Sequence, residues 1–157
     1  MATPINRKQV LGQKGFTLLE LIVVLLIIGL LGALFYVGRT SVERNNRNTL
    51  REQDINAIYK QLEAYYVVNQ KYPTLGDMNS SSWLAKNMPN LQPSTLKDPL
   101  GKSDQLVARP QKDAYAYQVS SANGAGCNDT TTPCAHYTLT ATLERSPQKT
   151  YVQSSLN

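Results

Sequence analysis

One carboxylate in this chain stands where a carboxylate is expensive. Glu20 lies four residues after Phe16, in a stretch that is apolar from Phe16 to Val37 but for Thr17 and Glu20 itself. As a helix, that run reaches across a bilayer's roughly 30 Å hydrocarbon core. A charge inside it costs about 2.5–3.5 kcal/mol on insertion scales, so an intramembrane acid marks function and needs a partner. No basic residue lies in the run. The expected partner belongs to another copy of the chain.

Two other sets of residues could do chemistry. Cys127 and Cys134 enclose Asn128 to Pro133, a loop-like composition of Asn, Asp, Thr and Pro. They read as a local disulfide, or as a metal site with His136 and Asp129, although structural zinc normally uses four ligands in paired Cys spacings. The disulfide is the expectation. His136 is the single histidine, and without a nucleophile arrangement around it the expectation is a packed or surface residue. There is no Walker-type or phosphate-cradling glycine loop, so an enzyme is not expected.

The elements that position these residues follow from charge and hydropathy. The 157 residues allow one ordinary domain plus an anchor. The net charge of +5 suggests nucleic acid, but its placement says otherwise. Arg7, Lys8 and Lys14 precede the apolar run, and from Arg39 onward there are 13 basic and 10 acidic residues. Positive charge before a span holds that end in the cytoplasm, which puts the cysteines on the far side, where disulfides persist. A secretory cleavage site fits poorly, because Leu31-Gly32-Ala33 places Leu where a small residue is wanted. The run is therefore expected to stay as a single-pass anchor. Gly29 and Gly32 weaken its helix and permit close helix approach.

From Arg39 the pattern turns amphipathic. Leu50, Ala57, Ile58, Leu62 and Tyr65 recur at helical spacing, flanked by Ile55 and Tyr66, and predict one packed stripe. Arg44, Arg47 and Arg51 share another face, read as a solvated surface with local ion pairs or as contacts to neighbouring subunits. A helix from Phe16 to Asn69, roughly 80 Å long at 1.5 Å per residue, should stop at Asn69-Gln70-Lys71-Tyr72-Pro73. A connecting region with a short helix near Trp83 comes next. Alternating residues at 115–120, 137–144 and 149–154 then predict antiparallel strands whose inner face covers the long helix. The fold class is α+β, in segments 1–15, 16–38, 39–72 and 73–157.

Gly15-Phe16-Thr17-Leu18-Leu19-Glu20 and the apolar run behind it resemble the prepilin signature of the type IV pilin and type II secretion pseudopilin superfamily. Tyr72-Pro73, Asp98-Pro99-Leu100-Gly101 and Tyr115-Ala116-Tyr117 are similar to motifs of its globular heads. The resemblance implies a pilin-like fold and a leader, 1–15, cut between Gly15 and Phe16 by a membrane peptidase. Phe16 is then N-methylated and Glu20 becomes the fifth mature residue. The new amine keeps its charge; it can fold back toward Glu20 of its own helix, or the amine of an incoming subunit can pair with Glu20 of its neighbour. An unpaired buried charge is strongly unfavourable, so Glu20 rewards correct axial register. Major pseudopilins usually carry a carboxylate-rich calcium loop, which this sequence lacks, while the Cys127–Cys134 loop looks more like that of type IV pilins.

The expectation is thus a precursor subunit of a type IV pilus-like filament, serving motility, adhesion, secretion or DNA uptake. The alternatives are a type II secretion pseudopilin, a minor tip subunit that binds DNA or a surface, and an anchored domain that never assembles. Expected partners are further copies and related pilins, the prepilin peptidase and N-methyltransferase, and an inner-membrane assembly platform. The modest charge of the head gives DNA binding little support. No cofactor is expected, with calcium on loop oxygens kept as the alternative.

Overall fold

The computed structural model describes residues 15–128, 130–144 and 149–156, with Val37 and Gly38 described by backbone alone. Arg7, Lys8, Lys14 and Asp129 lie outside the described residues. The chain divides into two compact units, Met1–Ser41 and Val42–Asn157, and helix α1 (Leu18–Asn69) contributes to both. In the first unit the large apolar side chains from Leu18 to Tyr36 are all exposed, from 41% at Val24 to 76% at Leu18. Water does not tolerate such a surface along a whole helix; lipid or partner helices do. The chain is membrane-anchored through this segment.

α1 ends as the sequence predicts. Gln70 adopts a left-handed φ of 56° and its N–H reaches the Tyr66 carbonyl at 2.8 Å, the single closing bond of a left-handed helix cap. The connection that follows is more helical than its Pro and Gly content predicts. Thr74 and Asp77 form a reciprocal capping box on α2 (Leu75–Met78). Ser80 caps α3 (Ser81–Asn87), which is the short helix expected around Trp83. A 3-10 turn occupies Pro93–Leu96. Local side-chain caps satisfy the first backbone N–H groups and stabilise turns too short to persist alone.

Three antiparallel strands, β1 (Tyr115–Ser120), β2 (His136–Leu143) and β3 (Lys149–Ser154), lie in sheet order β1-β2-β3. Tyr115 pairs with Ala141 and Tyr117 with Leu139. Strand alternation then sets these four on one face, and all are at most 1% exposed. That face covers Ile55, Ile58 and Leu62 of α1, each fully buried. Three tyrosines carry polar tips from sheet to helix: Tyr115 donates to Asp54 at 2.7 Å, Tyr137 to Glu63 at 2.7 Å and Tyr151 to Asn56 at 3.0 Å. Burial and then the facing carboxylate hold the hydroxyls of Tyr115 and Tyr137 above the usual tyrosine range. The Tyr137 ring belongs to a wider aromatic cluster, with Tyr72 4.6 Å from both Tyr66 and Tyr137.

Two expectations about α1 require correction. Leu50 is 48% exposed and Ala57 is exposed, so neither belongs to the packed stripe. Their places toward the core are taken by Ile55 and by Arg51, which is 0% exposed. The arginine face is solvated only in part: Arg44 is exposed, but Arg47 is half-buried and Arg51 buried. Arg51 donates to both oxygens of Asp98 (2.6 and 2.9 Å), to Glu144 (2.6 Å) and to Asn48 (3.1 Å). Arg47 meets Glu144 through two further bonds of 2.8 and 2.7 Å. A planar guanidinium suits such bidentate pairing and stays charged when buried. Burial alone would lower its pKa, but the bonds to Asp98 and Glu144 raise it.

The Asp98-Pro99-Leu100-Gly101 turn is built around this ion cluster. Asp98, 1% exposed, accepts from Arg51 and also from the Leu100 N–H at 2.9 Å. A Cβ on Gly101 would meet the Asp113 carbonyl oxygen at 2.8 Å and that of Asp98 at 3.1 Å, so glycine is required there by close approach.

Arg51→Ala, which leaves Asp98 without its counter-ion, should destabilise the fold by about 3–5 kcal/mol, read as loss of the tyrosine near-ultraviolet circular dichroism of the detergent-solubilised chain. Acid should act on the same cluster. Bonds from Arg47 and then Arg51 hold Glu144 down to about 2, from an ordinary 4.5. A carboxyl lowered on folding contributes stability that is present above its ordinary value and lost as pH falls toward the folded one. Melting temperature should therefore drop between about pH 4.5 and 2, and Glu144→Gln should flatten that slope. An unchanged slope in the variant would reject the assignment.

Candidate processing and assembly site

Local hydrogen bonding defines the start of α1. Thr17 sits just outside the helix, its hydroxyl accepts from the Glu20 N–H at 3.2 Å, and its carbonyl accepts from the Leu21 N–H at 3.2 Å. Thr17 is therefore the N-cap, and Glu20 stands in the first turn, where the helix dipole favours a negative side chain. The sequence reading missed Thr17. Its signal was present, since Thr17-Leu18-Leu19-Glu20 has the Thr-x-x-Glu form of a capping box.

Capping fixes what lies on either side. Gly15 and Phe16 precede the helix, both exposed, and a Cβ on Gly15 would have no neighbour within 4 Å. The Gly15–Phe16 peptide thus precedes the helix, and none of the described residues crowds Gly15. Phe16 is 79% exposed. Glu20 is exposed as well, with none of the described residues bonded to its carboxylate. Gly29 and Gly32 also open onto free space, with no atom within 4 Å of an added Cβ. α1 passes through them unbroken.

The other candidate residues lie in the head. Cys127 and Cys134 form a disulfide with a Cα–Cα separation of 5.1 Å, which removes both thiolates from any metal site and corrects that alternative. The enclosed loop is held by Asn128, whose Oδ1 accepts from the backbone N–H of Thr130, Thr131 and Thr132 at 3.0, 2.7 and 3.3 Å. The Tyr72 N–H donates to the Cys134 carbonyl at 2.9 Å, anchoring the loop beside the end of α1. His136 opens β2 and is half-buried. Among the described residues no three His, Cys, Asp or Glu side chains converge on a metal-sized site.

Comparison with known proteins bears on the segment and on most of the chain. Residues 11–36 match the prokaryotic N-terminal methylation motif. Type II secretion system core protein G of Pseudomonas aeruginosa is 32% identical over 130 aligned residues, covering 74% of this chain and 91% of the relative. The protein of that name from Escherichia coli K12 is 31% identical over 113 residues, covering 72% and 77%. That of Dickeya chrysanthemi is 37% identical over 62 residues, 40% of each chain. No solved structure matches.

Thr17→Ala should leave cleavage intact but fray the first turn of α1, weakening the helix start by about 1 kcal/mol. Gly15→Leu should instead block cleavage, seen on a gel as retention of the leader. Normal processing of Gly15→Leu would reject Gly15–Phe16 as the scissile bond.

Proposed function

The chain belongs to the type IV pilin and type II secretion pseudopilin superfamily, as a relative of core protein G, and from that premise we propose that it is the main pseudopilin of a type II secretion machine. It is a pilin-like filament subunit. The observation that carries the narrower reading is the 31–32% identity to core protein G, sustained over most of both chains. In this reading the precursor lies across the inner membrane with Arg7, Lys8 and Lys14 in the cytoplasm and the head outside it. A prepilin peptidase cuts between Gly15 and Phe16, and the methylated amine of Phe16 enters the growing filament from the membrane platform. Its role is mechanical, with no reaction of its own and no cofactor.

Glu20 sets the register. A carboxylate and an ammonium attract more strongly in a low-dielectric surround than in water, and the exposed Glu20 has room for an amine from a neighbour. A subunit one step out of register leaves both charges unpaired in apolar surroundings, a penalty of several kcal/mol. A second reading, a surface pilus, is favoured by the disulfide-bounded loop at Cys127–Cys134.

Glu20→Ala should be processed normally yet assemble poorly, measured as the ratio of sheared filament to membrane-bound subunit. Wild-type filament yields from this variant would overturn the registry role. Electron microscopy of sheared material separates the two readings, since abundant long surface fibres at native expression point to a pilus and their absence to a pseudopilus.

A further inference from the structure

A recess of about 490 Å³ opens between the Gly101 turn and the start of β1. Its walls are pinned. Asn79 donates to the Leu106 carbonyl at 2.9 Å and accepts from the Leu106 N–H at 2.7 Å. Val107 pairs with β1 in parallel: its N–H donates to the Tyr115 carbonyl, and its carbonyl accepts from the Tyr117 N–H, both at 2.9 Å. The Thr142 hydroxyl donates to the Gln111 carbonyl at 3.1 Å. Asp113 takes a left-handed φ of 58° where Gln111 and Ala114 close a turn. A site held in shape before its ligand arrives has less ordering to pay on binding.

Three kinds of chemistry line the recess. Leu106, 2% exposed, and the half-buried Val107 and Ala114 supply apolar surface. Gln105 and Gln111 are exposed carboxamides, which both donate and accept. Lys102 brings an exposed ammonium. Charge around the recess is one-sided. Between Lys97 and Asp113 the cations Lys97, Lys102, Arg109 and Lys112 are all exposed. The acids are mostly spent: Asp98 is bound by Arg51, and Asp113 lies 3.9 Å from both Arg51 and Lys112. Asp104 is the one acid of this segment that is exposed.

We propose that this recess binds an acidic polysaccharide, with one sugar ring seated in it and the carboxylate of that sugar on Lys102. A uronic acid ring presents apolar C–H faces, hydroxyls that donate and accept, and one carboxylate. The aliphatic surface, the two carboxamides and the lysine match these in turn, which is how a concave site combines apolar lining with a few convergent polar groups. The volume lies within the roughly 300–1,000 Å³ of small-ligand sites. Arg109 and Lys112, on the same loop, are placed for carboxylates further along the polymer. Nucleic acid is the poorer fit. A duplex carries a charge about every 1.7 Å of its axis and is held by neutralising several phosphates at once, whereas the recess itself offers one lysine. Such a site belongs to the head alone and does not depend on the filament reading.

Binding of the detergent-solubilised full-length chain to labelled polygalacturonate, read by fluorescence anisotropy at physiological salt, tests this. Dextran, polyglutamate and duplex DNA serve as the comparison polymers, and polygalacturonate should bind several-fold tighter than each. Lys102→Glu with Gln111→Ala should weaken that binding several-fold, and Lys102→Gln alone should lose part of it. Lys149→Glu, which removes an exposed cation on β3, should change nothing. The tyrosine circular dichroism of the head should be the same in every variant, so that lost binding reports lost contacts. Dextran bound as tightly would remove the role of the lysine, and polyglutamate or DNA bound as tightly would remove the role of the sugar. Equal loss in Lys149→Glu would leave only diffuse charge attraction. Each of these results overturns the site, as does failure of polygalacturonate to bind.

Discussion

A guanidinium with no access to water organises the second unit. Arg51 is fully buried, and a buried charge is tolerable only when its partners are placed to saturate it. Those partners come from widely separated parts of the chain: Asn48 one turn away on α1, Asp98 before the Gly101 turn, and Glu144 just past β2. Each segment must arrive correctly for the others to be satisfied. The cluster therefore fixes the axial and rotational setting of α1 against the sheet more tightly than apolar contacts could, because those tolerate sliding.

Once that setting is fixed, the tyrosines divide the labour between grease and polarity. Rings from Tyr66, Tyr72, Tyr117 and Tyr137 fill the space near the end of α1. The hydroxyls of Tyr115, Tyr137 and Tyr151 bond to two acids and an amide on the half-buried side of the helix. The disulfide loop joins the same region through the Tyr72–Cys134 backbone bond. Helix, sheet and loop thus share one core.

The result is a helix with three surfaces of different chemistry. Its N-terminal part is apolar all round and takes lipid or other helices. In the second unit, one side is consumed by the sheet and the ion cluster, and the other is left open. Gly15 and Phe16 stand ahead of the Thr17 cap, and Glu20 is the first acid behind it, exposed.

Much of this was legible in the sequence, because it depends on local pattern. The anchor follows from the length of an apolar run, the N-terminal methylation motif from Gly15-Phe16 and Glu20 at its start, the helix stop from Asn69 to Pro73, and the strands from strict alternation. Each rests on residues within a turn or two of one another. The disulfide was legible for the same reason, its cysteines being only seven apart. Tertiary structure alone decided the rotation of α1 in the head. Leu50 and Ala57 fit a helical stripe as well as Ile55 does, and periodicity cannot tell which of two adjacent stripes faces inward. That choice was made by Asp98 and Glu144, 47 and 93 residues from Arg51. Once they pull the arginines in, Leu50 and Ala57 must face out.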